Sequence, residues 1–244
     1  MNELALFAGA GGGILGGYLL GWKTVCAVEI TDYPRRVLLA RQRDGILPRF
    51  PIWDDITTFD GRPWCGRVDV VSGGFPCQGY STAARGRNCA TNMWPEMLRV
   101  IGDVRPRFVF CENVLEDPIH EAQADLADSG YTTIRGRFDA SQLGADHTRR
   151  RWWCIGDAYG YRELGQSEYA KMGELPTYGS TLWEENPDLT RVVNGMAYRM
   201  DRFEAVGNGQ VPAVVRFAWD VFRIQAKKKD STPLKKTMKP LTSV

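Results

Sequence analysis

A cysteine set between a proline and a glutamine is the most chemically pointed feature of the sequence. It lies in Gly73-Gly74-Phe75-Pro76-Cys77-Gln78-Gly79-Tyr80-Ser81, directly after the β-branched run Val68 to Val71. Open α/β sheets bind ligands in loops at the carboxyl ends of their strands. A cysteine presented there, with its thiolate stabilised, is the strongest side-chain nucleophile at neutral pH. Cys26, Cys111 and Cys154 lie in apolar runs instead and read as packing residues. A second group, Cys111-Glu112-Asn113-Val114, puts a carboxylate at the end of another apolar run. In a water-poor cleft such a glutamate has a raised pKa and serves as an acid, whereas at a solvated strand end it only caps. A third group is GxGxxG, formed by Gly11, Gly13 and Gly16 behind the run Leu4 to Phe7. Alone it suits a dinucleotide, S-adenosylmethionine or a plain strand-to-helix turn. Glu29 ends the next run, about 20 residues on, where an acid holds a nucleoside ribose.

These groups need a frame that brings several strand ends together. Leu4 to Phe7, Val25 to Ile30, Val68 to Val71, Phe108 to Cys111, 131–138 and 151–156 read as strands, and 33–43, 94–104 and 119–129 as helices. Short apolar runs alternating with helical segments predict a largely parallel α/β sheet with helices on both faces. Residues 72–92 and 140–148 read as loops. Residues 157–190 break the rhythm with Gly, Pro, Tyr, Trp and mixed charge, and read as an inserted, function-specific region. Helical patterning returns over 190–225, around Gly207-Asn208-Gly209. From 226 onward the Lys-rich, low-complexity composition predicts a flexible tail.

Composition excludes several classes. The 244 residues are 43% hydrophobic and 25% charged, which rules out a disordered or fibrous chain. Residues 227–244 hold six Lys and one Asp, a local +5 against a total of +2, so residues 1–226 carry −3. Such a tail suits a polyanion. The six cysteines include no CxxC pair, so no zinc or redox motif is present and no metal is expected. Cysteine usage predicts a reduced, cytoplasmic setting. Residues 4–22 are uncharged, but seven of these 19 are Gly and no Lys or Arg precedes them. They predict a strand, a glycine turn and a helix, with no membrane span. The two histidines, His120 and His147, fit neither a Ser-His-Asp nor a metal pattern.

Taken in order, LFAGAGG, GGFPCQGYS, CENV, HTRRR and GNGQVP resemble the cytosine-carbon-5 DNA methyltransferase family over residues 4 to 212. The resemblance implies a Rossmann-like S-adenosylmethionine-dependent methyltransferase sheet with a small target-recognition insertion. With it, 1–156 and 191–225 become a catalytic, cofactor-binding domain, 157–190 a reduced target-recognition region and 226–244 a flexible tail. It implies that Cys77 adds to carbon 6 of a flipped cytosine and that Glu112 protonates ring nitrogen 3. Arg151 is implied to bind the carbonyl at carbon 2, and Arg149 to support the loop. S-adenosylmethionine is expected against Phe7, Gly9, Gly11, Glu29, Asp55, Ile56 and Pro76, with Asn208 in the closing motif. The residue types suit the chemistry, because a cytosine must leave the duplex stack before a side chain reaches it. The site then needs a nucleophile, a proton donor and a cationic clamp. Three departures stand out. Ala5 replaces the usual Asp before Leu-Phe, His147 replaces Gln, and GNGQVP stands where GN(A/S)V is commoner. None removes a reacting group.

The expected activity is DNA (cytosine-5-)-methyl transfer on double-stranded DNA, without metal or membrane, in the cytoplasm of a bacterial cell or phage-infected host. A restriction–modification or phage DNA-modification setting is implied. Three other readings stay open on sequence: an RNA cytosine-5 methyltransferase, a catalytically silent DNA-binding relative, and a nicotinamide-dependent oxidoreductase that leaves PCQ unexplained. Residues 157–190 have room for few bidentate base contacts, which predicts a target of about two to four base pairs.

Overall fold

The computed structural model describes residues 1–76, 92–160 and 209–230, with side chains of the last helix as far as Ala226. These residues form one sheet of β1 (Asn2–Leu6), β2 (Lys23–Val28), β3 (Ile52–Trp53), β4 (Val70–Gly74), β5 (Phe108–Asn113), β6 (Thr132–Asp139) and β7 (Arg150–Asp157). Its order is β3-β2-β1-β4-β5-β7-β6. Strands β1 to β5 pair in parallel, and β7 runs antiparallel to both β5 and β6. The helices are α1 (Gly12–Leu19), α2 (Asp32–Arg43), α3 (Trp94–Val104), α4 (Glu116–Asp128) and α5 (Pro212–Asp230).

Strand alternation sorts the core onto two faces. Leu4, Leu6, Val71, Val109 and Cys111 pack with Met97 and Ile101 of α3 and with Ile119 and Leu126 of α4. The intervening Phe108 and Phe110 pack with Val215, Trp219 and Phe222 of α5, while Ala5 and Ala27 meet Ile14 of α1 and Leu38 of α2. Trp219 meets Trp22, Phe108 and Phe110 edge to face, with centroids 4.7, 5.3 and 5.3 Å away. Each large side chain buried this way contributes about 1.5–3 kcal/mol. Cys26, Cys111 and Cys154 are buried, as their apolar surroundings predict.

Three features differ from the sequence reading. The edge strand β3 has two residues, too few to show a period. The β6–β7 hairpin inserts an antiparallel strand beside β5, although its residues carry the same apolar signal as a parallel one. Helix α5 runs to Asp230, so regular structure continues into the first residues of the Lys-rich segment. No described helix is long and apolar enough to cross a membrane.

The register places the functional strand ends side by side. Leu6 pairs with Gly73, Gly73 with Cys111, and Gly74 with Glu112. The glycine turn after β1, the Phe75-Pro76 segment after β4 and the carboxylate of β5 therefore share one edge.

Candidate active site

Glu112 is the penultimate residue of β5 and only 5% exposed. Its Oε1 lies 3.0 Å from Arg151 Nε, and its Oε2 accepts from Gln210 Nε2 at 3.3 Å. Burial raises the carboxyl above its ordinary value, opposed by Arg151, by the Gln210 amide and by Arg149. A carboxylic acid held this way can keep a proton at a pH where an exposed glutamate has lost it. Arg149 is itself affected, since burial and the neighbouring Arg151 lower its pKa while Glu112 raises it. The Arg149 guanidinium also donates to the carbonyl of Gly209.

Arg149 and its neighbour Arg150 are anchored by a residue that no sequence motif singled out. Asp139, the last residue of β6, accepts from the Arg149 backbone N–H at 2.7 Å and from Arg150 Nε at 3.1 Å. It also caps the short turn Ala140–Leu143 in a reciprocal capping box with Gln142. The spacing Asp139-x-x-Gln142 is the detectable signal. Those hydrogen bonds, the Arg149 N–H foremost, hold the Asp139 carboxyl below its ordinary value.

The segment leading into Cys77 is pinned beside Glu112. Asn113 Nδ2 donates to the Phe75 carbonyl at 2.9 Å, and the Met93 N–H donates to the Pro76 carbonyl at 3.1 Å. A β-carbon on Gly74 would sit 2.5 Å from Glu112 Oε2, so any other residue there would have to push the carboxylate aside. Pro76 itself is exposed. Cys77 and Asn208 lie outside the described residues.

The other half of the site is built from backbone. Phe7, Gly9 and Gly11 have φ of 51, 53 and 94°, a run of left-handed residues that swings the chain from β1 into α1. Glu29 braces it: Oε2 accepts from the Gly9 N–H and Oε1 from the Thr31 N–H, both at 2.7 Å. Beyond Gly9 the position of a β-carbon is open. The Glu29 N–H bonds the Trp53 carbonyl at 2.9 Å, which brings Asp55 and Ile56 to the same end of the sheet. Asp55 caps the turn Ile56–Thr58, accepting from the Thr57 N–H at 2.9 Å. From α3, Arg99 donates to the carbonyls of Ile56 (2.6 Å) and Phe59 (3.0 Å), a second anchor that no sequence motif signalled. Gly16 lies against Val215 of α5, so the third glycine of the motif serves helix–helix contact.

The structure thus gathers Glu112, Arg149 and Arg151 in one cluster, and Phe7, Gly9, Gly11 and Glu29 in another, with Asp55 and Ile56 reached through Trp53. A bracing carboxylate, an open glycine turn and a buried isoleucine fit the ribose and base of a nucleoside. His147 stands apart, half exposed, 3.3 Å from Asp146, and His120 is exposed on α4.

The profile of C-5 cytosine-specific DNA methylases matches residues 1–197. The chain belongs to that family. Among its relatives is a Type II methyltransferase, M.CviJI, from a Paramecium bursaria Chlorella virus, 27% identical over 231 residues that cover 89% of this chain and 58% of that protein. Another is Type II methyltransferase M.NgoMIV of Neisseria gonorrhoeae, 31% identical over 205 residues, covering 75% of this chain and 64% of the relative. The chain thus spans somewhat more than half the length of these relatives. The solved Dnmt2 methyltransferase of S. pombe shares the fold, with a TM-score of 0.54 and 19% identity, covering 71% of this chain and 56% of that one. This member of the C-5 cytosine methylase family therefore has the Rossmann-like sheet its motifs imply, and its Glu112 cluster lies at that sheet's carboxyl edge.

Proposed function

We propose that this chain is a DNA (cytosine-5-)-methyltransferase whose chemistry is carried by Cys77, Glu112, Arg149 and Arg151. The observation behind the reading is the buried Glu112–Arg151 pair, 3.0 Å apart, beside the pinned Phe75-Pro76 segment that leads into Cys77. A flipped cytosine offers an electrophilic carbon 6, a basic nitrogen 3 and a carbonyl at carbon 2. The Cys77 thiolate forms a bond to carbon 6, and the electron pair of the 5,6 double bond moves into the ring. Glu112 gives its proton to nitrogen 3, so negative charge does not accumulate, while Arg151 holds the carbonyl oxygen. S-adenosylmethionine, when bound, would supply an electrophilic methyl group to carbon 5 and leave as the neutral thioether. Water takes the carbon 5 proton as the double bond re-forms, which expels the Cys77 thiolate and returns the nitrogen 3 proton to Glu112.

Phe7, Gly9, Gly11, Glu29, Asp55, Ile56, Pro76 and Asn208 are the residues we assign to the cofactor, with Glu29 accepting from ribose hydroxyls. The division into a catalytic domain (1–156 and 191–225), a recognition region (157–190) and a Lys-rich tail (226–244) belongs to the same proposal. So does action in the cytoplasm of a bacterial cell or phage-infected host. The Type II names of the relatives support a restriction–modification or phage DNA-modification setting.

The test is transfer of tritium from labelled S-adenosylmethionine to DNA, to RNA and to a blank. Label in DNA that disappears in Cys77→Ser supports the reading. Label in RNA alone replaces the substrate, and label in neither leaves a binding protein. Bisulfite sequencing of DNA from a methylation-free host expressing the chain tests the short target. One strict site of six or more base pairs contradicts it.

A further inference from the structure

Gln210 has no part in the chemistry above, yet both halves of the site meet at it. Its Nε2 donates to Glu112 Oε2 at 3.3 Å. Its main-chain carbonyl lies so close over Gly12 that a β-carbon there would collide with it. Its Oε1 lies 2.5 Å from where a β-carbon on Gly13 would stand, and its Nε2 lies 3.0 Å from the same point on Gly74. Glycines on α1 and at the end of β4 thus clear a socket that one amide side chain fills.

We propose that Gln210 is a positioning residue for Glu112, tying the carboxyl that serves the base to the glycine turn that serves the methyl donor. The inference rests on reading Glu112 as the proton donor. The terminal torsion of a glutamate is broad and roughly two-fold, so one partner on one oxygen leaves the carboxyl plane loose. Arg151 stands against Oε1 as an ion pair and Gln210 donates the hydrogen bond that Oε2 accepts, so each oxygen has its own partner. Because the amide carries no charge, it orients the group without adding a further cation to the pull of Arg151 and Arg149 toward the ionised form. Among the described residues, the charged groups facing Glu112 are Arg151 and Arg149, both on the β7 side. Gln210 is the neutral partner from the opposite side, in the segment entering α5.

The experiment is the pH profile of kcat for the full chain and its Gln210→Leu and Gln210→Glu variants, with Glu112→Gln alongside. Gln210→Leu removes a donor that favours the carboxylate, so the alkaline limb should move up by about one pH unit. The plateau should fall roughly tenfold as the carboxyl loses its fixed plane. Gln210→Glu should move the limb further the same way, because a second carboxyl then faces the first. A limb's position does not depend on the folded fraction, so a poorly folding variant still reports. Lower rates with an unmoved limb in both variants, beside an inactive Glu112→Gln, would make Gln210 a packing residue and overturn the proposal. A fully active Glu112→Gln would instead remove the proton-donor reading beneath it.

Discussion

Two glutamates are buried on the same face of the sheet, Glu3 near its amino edge and Glu112 at its carboxyl edge, and they differ in their company. Glu3 is 1% exposed and accepts from the Ser72 hydroxyl at 2.6 Å and the Thr24 hydroxyl at 2.7 Å. Its carboxyl sits above Gly17 of α1, where a β-carbon would stand 3.1 Å from Oε2. Burial pushes it up to about 7 against those two donors. Glu112 is buried to a similar degree, but its partners are an arginine at 3.0 Å, a second arginine and an amide. Burial alone raises a carboxyl; a nearby cation and a ligand-facing loop are what turn the raised pKa into chemistry. Glu3 has the first without the others and reads as structural.

The sharpest separation of the two is catalytic. Glu112→Gln keeps the shape and removes the transferable proton, so kcat should fall about 10²- to 10⁴-fold. Glu3→Gln should leave kcat at the wild-type value in the same labelled-methyl assay. Equal losses in both variants would erase the distinction.

Stability against pH gives the converse. A carboxyl whose folded pKa is raised contributes fully below its unfolded value and loses that contribution as pH rises through the folded one. For Glu3 the window runs from 4.5 to about 7, with a loss on the order of 3 kcal/mol. Urea midpoints of the wild type should fall across that window, and those of Glu3→Gln should stay flatter. Parallel curves would show that Glu3 is not the titrating group.

A smaller effect belongs to the cofactor half, where backbone does most of the work. Glu29 braces the Gly9 and Thr31 N–H groups, each at 2.7 Å. Losing a hydrogen bond to a charged group costs about 1.5–3 kcal/mol. Glu29→Ala should therefore raise KM for S-adenosylmethionine roughly 10- to 150-fold, with kcat at saturation far less affected. An unchanged KM would detach this turn from the cofactor.

The same contrast explains what the sequence could disclose. Strand ends carrying Glu112, Glu29 and the glycine turn were legible because apolar runs and local spacing define them, and the arginine pair was legible through its motif. Asp139 showed only its capping spacing to Gln142, and Arg99 and Gln210 showed nothing. The last two act across a long sequence separation, on Ile56 for Arg99 and Glu112 for Gln210, partners that only the folded register brings near. The antiparallel β7 was hidden for a related reason: an apolar run reports burial, not direction.

The most direct measurement is covalent capture on DNA containing 5-fluorocytosine, in the presence of S-adenosylmethionine. Fluorine at carbon 5 blocks the final elimination, so the wild type should form a stable protein–DNA species whose attached peptide contains Cys77, and Cys77→Ser should form none. Absence of that species in a preparation that binds DNA, or attachment at any other residue, would contradict the account.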